Sequence, residues 1–253
     1  MPRRKTIQGE SARNSARSID KAEEARLRIL RAAIHEFSEH GLAGARTDAI
    51  AAAAKVNKAL LYYYFKSKNN LYVAALEDVA GKVMESTLAV LRSPGSAGER
   101  TLRAALNHFD RILTQSQFQS LLQQEMMRFR QEKSNEIPVL AKKVFGPLVQ
   151  KIQEVIQEGI RSGELCDVDP KQIEYSAFGA NVFYFLSAPM MRIIGSFDPF
   201  ELSALEFRRR AAVEFLGQAL FIDRRRGAKL AKRVLADTPM PEMKKFPGWR
   251  KKL

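Results

Sequence analysis

Cysteine is almost missing from this chain: Cys166 stands alone among 253 residues. No intrachain disulfide can form, so stability must come from packing, and this usage fits a reducing, cytoplasmic setting. Cys166 follows Gly163-Glu164-Leu165 in an expected loop and reads as a plain unpaired thiol. Histidine is nearly as scarce. His35, His40 and His108 are scattered, with no cysteine or carboxylate beside them in ligand register, so no metal site is expected. A glycine-rich phosphate loop is lacking, and the single thiol has no base nearby. These absences exclude the usual catalytic constellations: no catalytic residue and no cofactor is assigned, and the chain is not read as an enzyme. Alternating strand patterns and internal repeats are absent too. The opening MPRRKTIQGESARNSARS is basic but lacks the apolar segment of a secretory leader.

What the chain does have is helical periodicity and positive charge. Its composition is 45% hydrophobic, enough for one sizeable core or two modest ones, and its formal net charge is +14. That charge is unevenly placed. Residues 20–68 and both ends are basic, while residues 69–223 are nearly neutral. A neutral body with basic extremities suits a polyanion partner.

The stretch Thr47–Lys68, TDAIAAAAKVNKALLYYYFKSK, organises the reading. Thr47–Ala54 and Lys58–Phe65 are two short helical segments joined by Lys55-Val56-Asn57. Two short helices around a tight turn make a helix-turn-helix, whose second helix enters the major groove of DNA. Thr47 and Asn57 are good N-caps, and Asp48 complements the first helix's dipole. Ile50, Ala53, Val56, Leu61 and Phe65 are spaced to lie inside. Lys58, Leu60, Tyr62, Tyr63, Lys66 and Lys68 are left mostly outward, and Tyr64 partly in the core. Exposed tyrosine and lysine suit phosphate, which needs hydroxyl donors and positive charge.

From Ile29 to Leu71 the chain resembles the DNA-binding domain of the TetR family of bacterial transcriptional regulators. Phe37, Gly41, Thr47, Ile50, Ala51, Ala54, Val56, Leu61, Tyr62, Phe65 and Lys68 stand in the family's register. Three positions depart from it. Lys55 and Ala59 replace glycines, and Asn70 replaces a glutamate that would complete a capping box begun at Ser67. The resemblance implies an all-α fold of about nine core helices: a three-helix DNA-reading head followed by a helical ligand-binding and dimerisation domain. By the same resemblance Thr47, Tyr62, Tyr63 and Lys68 hold phosphates, with Arg46 and Lys66 as weaker candidates. Lys58, Ala59 and Leu60 open the recognition helix and meet base edges. There Lys58 can donate to guanine, and Leu60 can touch a thymine methyl.

The expected domains are a flexible basic arm (1–19), the head (20–68), a helical body (69–223) and a basic C-terminal tail (224–253). Asp20 and Glu23 form a candidate capping box for the first helix, with Leu27, Leu30, Ile34 and Phe37 along its apolar face. The arm offers Arg3, Arg4, Lys5, Arg13 and Arg17 to DNA, or is simply a solvated leader. Body helices are expected near 67–92, 99–114, 118–132, 138–161, 170–194 and 200–222. The run YSAFGANVFYFLSAPMMRII is unusually apolar. Asn181, Pro189 and Arg192 count against a membrane span, and a helix buried on several sides is preferred. In the tail, RRRGAKLAKRV reads as a short basic helix. Phe246 and Trp249, among basic residues, could grip an acidic surface or remain solvated.

The leading expectation is a homodimeric repressor, paired through helices at about 170–194 and 200–222. It would sit on a palindromic operator in double-stranded DNA and be released by an unknown small-molecule effector. Phe109, Met126, Met127, Phe145, Phe178 and Phe183 are candidate lining for the effector cavity, any of them alternatively plain core. The runner-up is an activator, or a less specific DNA binder that uses its basic tails. No membrane partner is expected.

Overall fold

The computed structural model of the chain describes residues 5–195 and 197–242, with side chains from residue 21 onward. Arg3, Arg4, Phe246 and Trp249, and the side chains of Lys5, Arg13 and Arg17, therefore lie outside the described residues. The fold is all-α. Its helices are α1 (Lys5–Gly44), α2 (Thr47–Ala54), α3 (Lys58–Phe65), α4 (Lys68–Leu91), α5 (Ala97–Thr114), α6 (Ser116–Arg130), α7 (Glu136–Leu140), α8 (Gly146–Arg161), α9 (Pro170–Ile194), α10 (Leu202–Ala219) and α11 (Arg224–Asp237). Among the described residues the only β-pairing is one isolated antiparallel bridge between Leu165 and Phe221.

Two compact units share these helices. The first comprises residues 1–79 and 120–136, the second residues 80–119 and 137–253. In the first unit, Ile29, Ala33 and Phe37 of α1 pack in a core with Ile50, Leu61 and Leu71. The Phe37 ring meets the Tyr72 ring edge-on at 5.1 Å. The helical backbone of α1 starts at Lys5, so Asp20 lies within the helix rather than capping it. No proline interrupts residues 5–19, and Gly9 alone there is a poor helix former. At Gly41 the backbone turns left-handed (φ 66°) inside that span, which is where the sequence placed the helix end.

The first unit also takes in α6 from Ser120 onward. Ser120 Oγ and Gln124 Nε2 donate to the Ser38 carbonyl at 2.6 and 3.0 Å. Tyr72 Oη donates to Glu125 Oε2 at 2.8 Å, and Ser134 Oγ donates to Glu125 Oε1. Glu125 is 0% exposed, so these bonds and the Arg128 guanidinium at 3.7 Å compensate a carboxylate that burial would otherwise penalise.

The second unit has a main core built from α5, α8, α9, α10 and α11. A smaller cluster joins Phe109, Phe185, Phe200 and Leu205. The helix expected over 138–161 is broken by a π-helical turn, Ala141–Phe145, before α8. Pro147, in the first turn of α8, has no N–H to donate, and the Gly146 N–H reaches back to the Ala141 carbonyl. The ladder slips there by one residue.

The short basic helix expected over RRRGAKLAKRV is present, but it packs into the core instead of standing free as a tail. Residues 224–237 form α11, whose Leu230, Ala231 and Val234 are buried in the main core. Asp223 caps it, accepting from the Arg225 and Arg226 amides. α11 crosses α10 at Gly217 and Gly227, where a Cβ on Gly227 would stand 1.9 Å from the Gly217 carbonyl oxygen. Charge clamps hold it as well. Arg226 pairs with Glu164 at 3.2 Å, Arg233 pairs with Glu99, and Asp237 pairs with Arg103 at 2.9 Å. Two of the segment's six basic side chains, Arg226 and Arg233, are therefore paired within the fold.

Candidate nucleic-acid interface and ligand cleft

The turn between α2 and α3 is set by two residues. Lys55 ends α2 in the left-handed region (φ 56°, ψ 47°), and its N–H returns to the Ala51 and Ala52 carbonyls. Asn57 starts α3, its side chain accepting from the Leu60 amide at 2.7 Å. α2 begins directly at Thr47, with Arg46 in the cap position, so Thr47 is the first helical residue and not the cap. Ile50, Ala51 and Ala54 form the buried stripe of α2, while Ala53, expected inside, is exposed. The stripe follows i, i+1, i+4, which leaves position 53 on the far side of the helix. Leu61 and Phe65 anchor α3. Arg28 Nε donates to the Ala54 carbonyl at 3.2 Å, tying α1 to the end of α2.

These contacts leave one polar surface. Arg46, Lys58, Ala59, Tyr63 and Lys66 are exposed, and Thr47, Leu60, Tyr62 and Lys68 are partly so. Tyr63 is 68% exposed. The Tyr62 hydroxyl lies 3.4 Å from the Thr47 hydroxyl, which joins two of the phosphate candidates across the turn. Lys66, also at positive φ (64°), donates to the Tyr63 carbonyl at 2.8 Å and lies over its ring. Lys68 Nζ donates to the Ala43 carbonyl at 3.3 Å, and the Arg46 amide to Glu36 at 2.9 Å. Ser67 caps α4 alone by accepting from the Asn70 amide at 3.0 Å.

Asp48 plays a part that its dipole role did not suggest. Its two carboxylate oxygens lie 3.0 and 3.1 Å from Lys58 Nζ. The hydrogen bond and charge of Asp48 hold the Lys58 pKa above its ordinary value. Their ten-residue separation spans the turn, so neither helical periodicity nor local spacing exposes the pair. Asp48 thus partly neutralises the charge that Lys58 presents at the surface.

The six candidate cavity residues divide between the two units. Met126 and Met127 are exposed residues of the first unit. In the second unit Phe109 is buried among Tyr184 and Phe185, and Phe183 is 64% exposed on α9. Phe145 is partly buried at the end of the π turn. Phe178 alone lines an apolar cleft, with Leu91, Ala105, Ile152, Ile156 and Ala177. Its free volume is about 10 Å³, room for one water. Beside it lie polar residues that hydrophobic patterning passed over. The His108 ring meets Phe178 edge-on at 4.8 Å. Burial, then the Arg111 charge, lowers the His108 pKa to about 4. Asn181 Nδ2 donates to the Ala105 carbonyl at 3.2 Å.

α9 is long and apolar enough to cross a membrane by length and composition. Its Ile173, Ala177, Asn181, Phe185 and Ala188 are buried in the second unit. Tyr175, Phe183, Leu186, Met190 and Ile193 face outward, as do Phe207 and Phe215 of α10 and Ile222 just beyond it. No group of three or more metal-ligating residues occurs among the described residues.

Comparison with known proteins places both units. Residues 29–75 match the model of bacterial regulatory proteins of the tetR family, and residues 99–216 match a tetracyclin repressor-like C-terminal domain. A helix-turn-helix type transcriptional repressor of Streptomyces coelicolor is 42% identical over 72 residues, covering 28% of this chain and 36% of that protein. That relative is thus matched over about a third of its length. The helix-turn-helix type transcriptional repressor NicS of Pseudomonas putida is 28% identical over 57% of this chain and 69% of its own length. A TetR/AcrR transcriptional regulator of Thermobifida fusca superposes with a TM-score of 0.57 at 25% identity, over 76% of this chain and 95% of its own.

Proposed function

Given that the chain belongs to the TetR family of DNA-binding transcriptional regulators, we propose that it is a homodimeric repressor released from a palindromic operator by a small-molecule effector. The observation that carries this reading is the exposed surface of α3 and its flanks: Lys58, Ala59 and Leu60 at the helix start, with Thr47, Tyr62, Tyr63, Lys66 and Lys68 around it. Lys58 and Leu60 address base edges. The hydroxyls and the remaining amines, with Arg46, address phosphates and fix register. One short helix reads too few base pairs to find a site in a genome. Two heads on a two-fold axis double the reading and require half-sites about one helical turn apart.

The outward apolar faces of α9 and α10 support pairing there. Phe183, Leu186, Met190, Phe207 and Phe215 are each at least half exposed, more contiguous apolar surface than a lone chain tolerates well. A second copy would cover it with the same residues, which is how an isologous interface closes. The effector reading rests on the cleft beside Phe178. For release, the effector must bind one dimer state better than the other.

The test is binding of the full chain to the duplex upstream of its own gene, against random duplex, across a salt series. We expect a protected palindrome preferred by about 10³-fold or more. Equal, steeply salt-dependent binding to both duplexes would instead favour the reading as a less specific DNA binder.

A further inference from the structure

Arg111 is an unusual residue in the second unit. It is 9% exposed, yet no acidic side chain pairs with it among the described residues. Its guanidinium donates to the Lys82 carbonyl at 3.2 Å and to Gln115 Oε1 at 2.6 Å, and its Nε has no partner. Two further buried atoms nearby are also unpartnered, His108 Nδ1 and Asn181 Oδ1. Ala104, Ala105, His108 and Arg111 follow one another at helical spacing along one stripe of α5, and Ala177, Phe178 and Asn181 do so along α9. The stripes face each other, since Phe178 meets His108 and Asn181 meets the Ala105 carbonyl. Ala105, Ala177 and Phe178 also line the apolar cleft. Phe178 therefore stands between the cleft and the polar group of His108, Arg111 and Asn181. The cleft's single acidic lining residue, Glu174, accepts from Gln153 at 3.4 Å. Glu174 lies seven residues from Asn181, about 10 Å along the helix.

We propose that this polar group and the cleft bind a monoanionic amphiphile, a carboxylate with an unbranched or lightly branched apolar body. The carboxylate pairs with the Arg111 guanidinium and accepts from His108 in its Nδ1–H form, while Asn181 Nδ2 stays on the Ala105 carbonyl. The apolar body runs past Phe178 toward Leu91 and Ile156. A buried guanidinium without a counter-charge is costly, and an arriving carboxylate offsets that cost through a charge-assisted hydrogen bond. A cationic ligand meets Arg111 and is repelled, and a neutral one leaves it unpaired. Entry requires the Phe178 ring to turn away from His108, because the cleft holds no more than a water as it stands. This inference deepens the effector reading above and depends on it for its biological meaning.

The experiment is calorimetric titration of the full-length chain, without DNA, with octanoate, octan-1-ol and octylamine. Octanoate is expected to bind saturably and at least tenfold tighter than either analogue. Arg111→Gln is expected to abolish that preference while keeping the weak octanol binding, which would show that the cleft is intact. Lys151→Gln, on the surface of α8, should leave all three affinities unchanged. The proposal is overturned if none of the three binds, if octylamine or octanol equals octanoate, or if folded Arg111→Gln keeps the preference. The wild-type comparison of head groups decides the matter even if the variant does not fold. Because no DNA is present, a negative result alongside intact operator binding removes only the ligand class.

Discussion

Asp48 and Lys58 hold each other across the turn that presents the recognition helix. An exposed pair of this kind contributes little to stability, and Lys58 is a proposed base-edge contact. Asp48→Asn is expected to raise duplex affinity by about two- to fivefold at low salt, read by fluorescence anisotropy; unchanged or weaker binding would place Lys58 off the nucleic acid. Lys55 poses a separate backbone question. A non-glycine residue in the left-handed region costs roughly 1 kcal/mol, so Lys55→Gly should raise stability by about 0.5–1 kcal/mol in urea unfolding, with an unchanged m-value. His108 makes stability sensitive to pH. Its folded pKa of about 4 lies below the ordinary 6.5, so between those values the unfolded chain binds the extra proton. Stability from this group is fully present above about pH 6.5 and is lost as pH falls toward 4, by up to about 3 kcal/mol. Urea midpoints from pH 7.5 to 4.5 should fall more steeply for the natural chain than for His108→Gln, and parallel curves would contradict the assignment.

At the scale of elements, α11 shows where packing outweighs composition. Its residues read as a charged tail because arginine and lysine dominate their count, and the apolar positions Leu230, Ala231 and Val234 are too few to dominate a window. Its membership of the core depends on Gly217 and Gly227, which let two backbones approach closely, and on acids as distant in sequence as Glu99 and Glu164. No local pattern carries such partners. Gly227→Ala places a methyl against backbone and against the Phe221 ring, and a loss of about 2–4 kcal/mol is expected. By contrast, α2, α3 and α9 were legible because caps, short apolar stripes and a proline start are local signals. The head surface was legible for the same reason. The cleft was not, because it depends on which faces of α5 and α9 meet, and because its distinguishing residues are polar ones that a search for apolar lining overlooks. The π turn before α8 hides in an unbroken apolar series, with Pro147 as its only advance mark.

At the scale of the whole molecule, the outward face of α9 and α10 sets the expected assembly. Phe183→Asp combined with Phe215→Asp, both at well-exposed positions, should convert a dimer to monomers in light scattering while leaving the helical circular dichroism intact. Operator affinity should fall at least a hundredfold, since each half-site is then held alone. A doubly substituted chain that remains dimeric would move the interface elsewhere. The first unit is not contiguous in the chain, because Ser120, Gln124 and Glu125 supply its bonds to Ser38 and Tyr72. During synthesis at about 5–20 residues per second, roughly 2–9 s separate the emergence of Val79 from that of Glu125. Throughout that interval the nascent DNA-reading unit lacks the carboxylate that its buried tyrosine awaits. Its completion is timed by the ribosome's progress through the other unit's sequence.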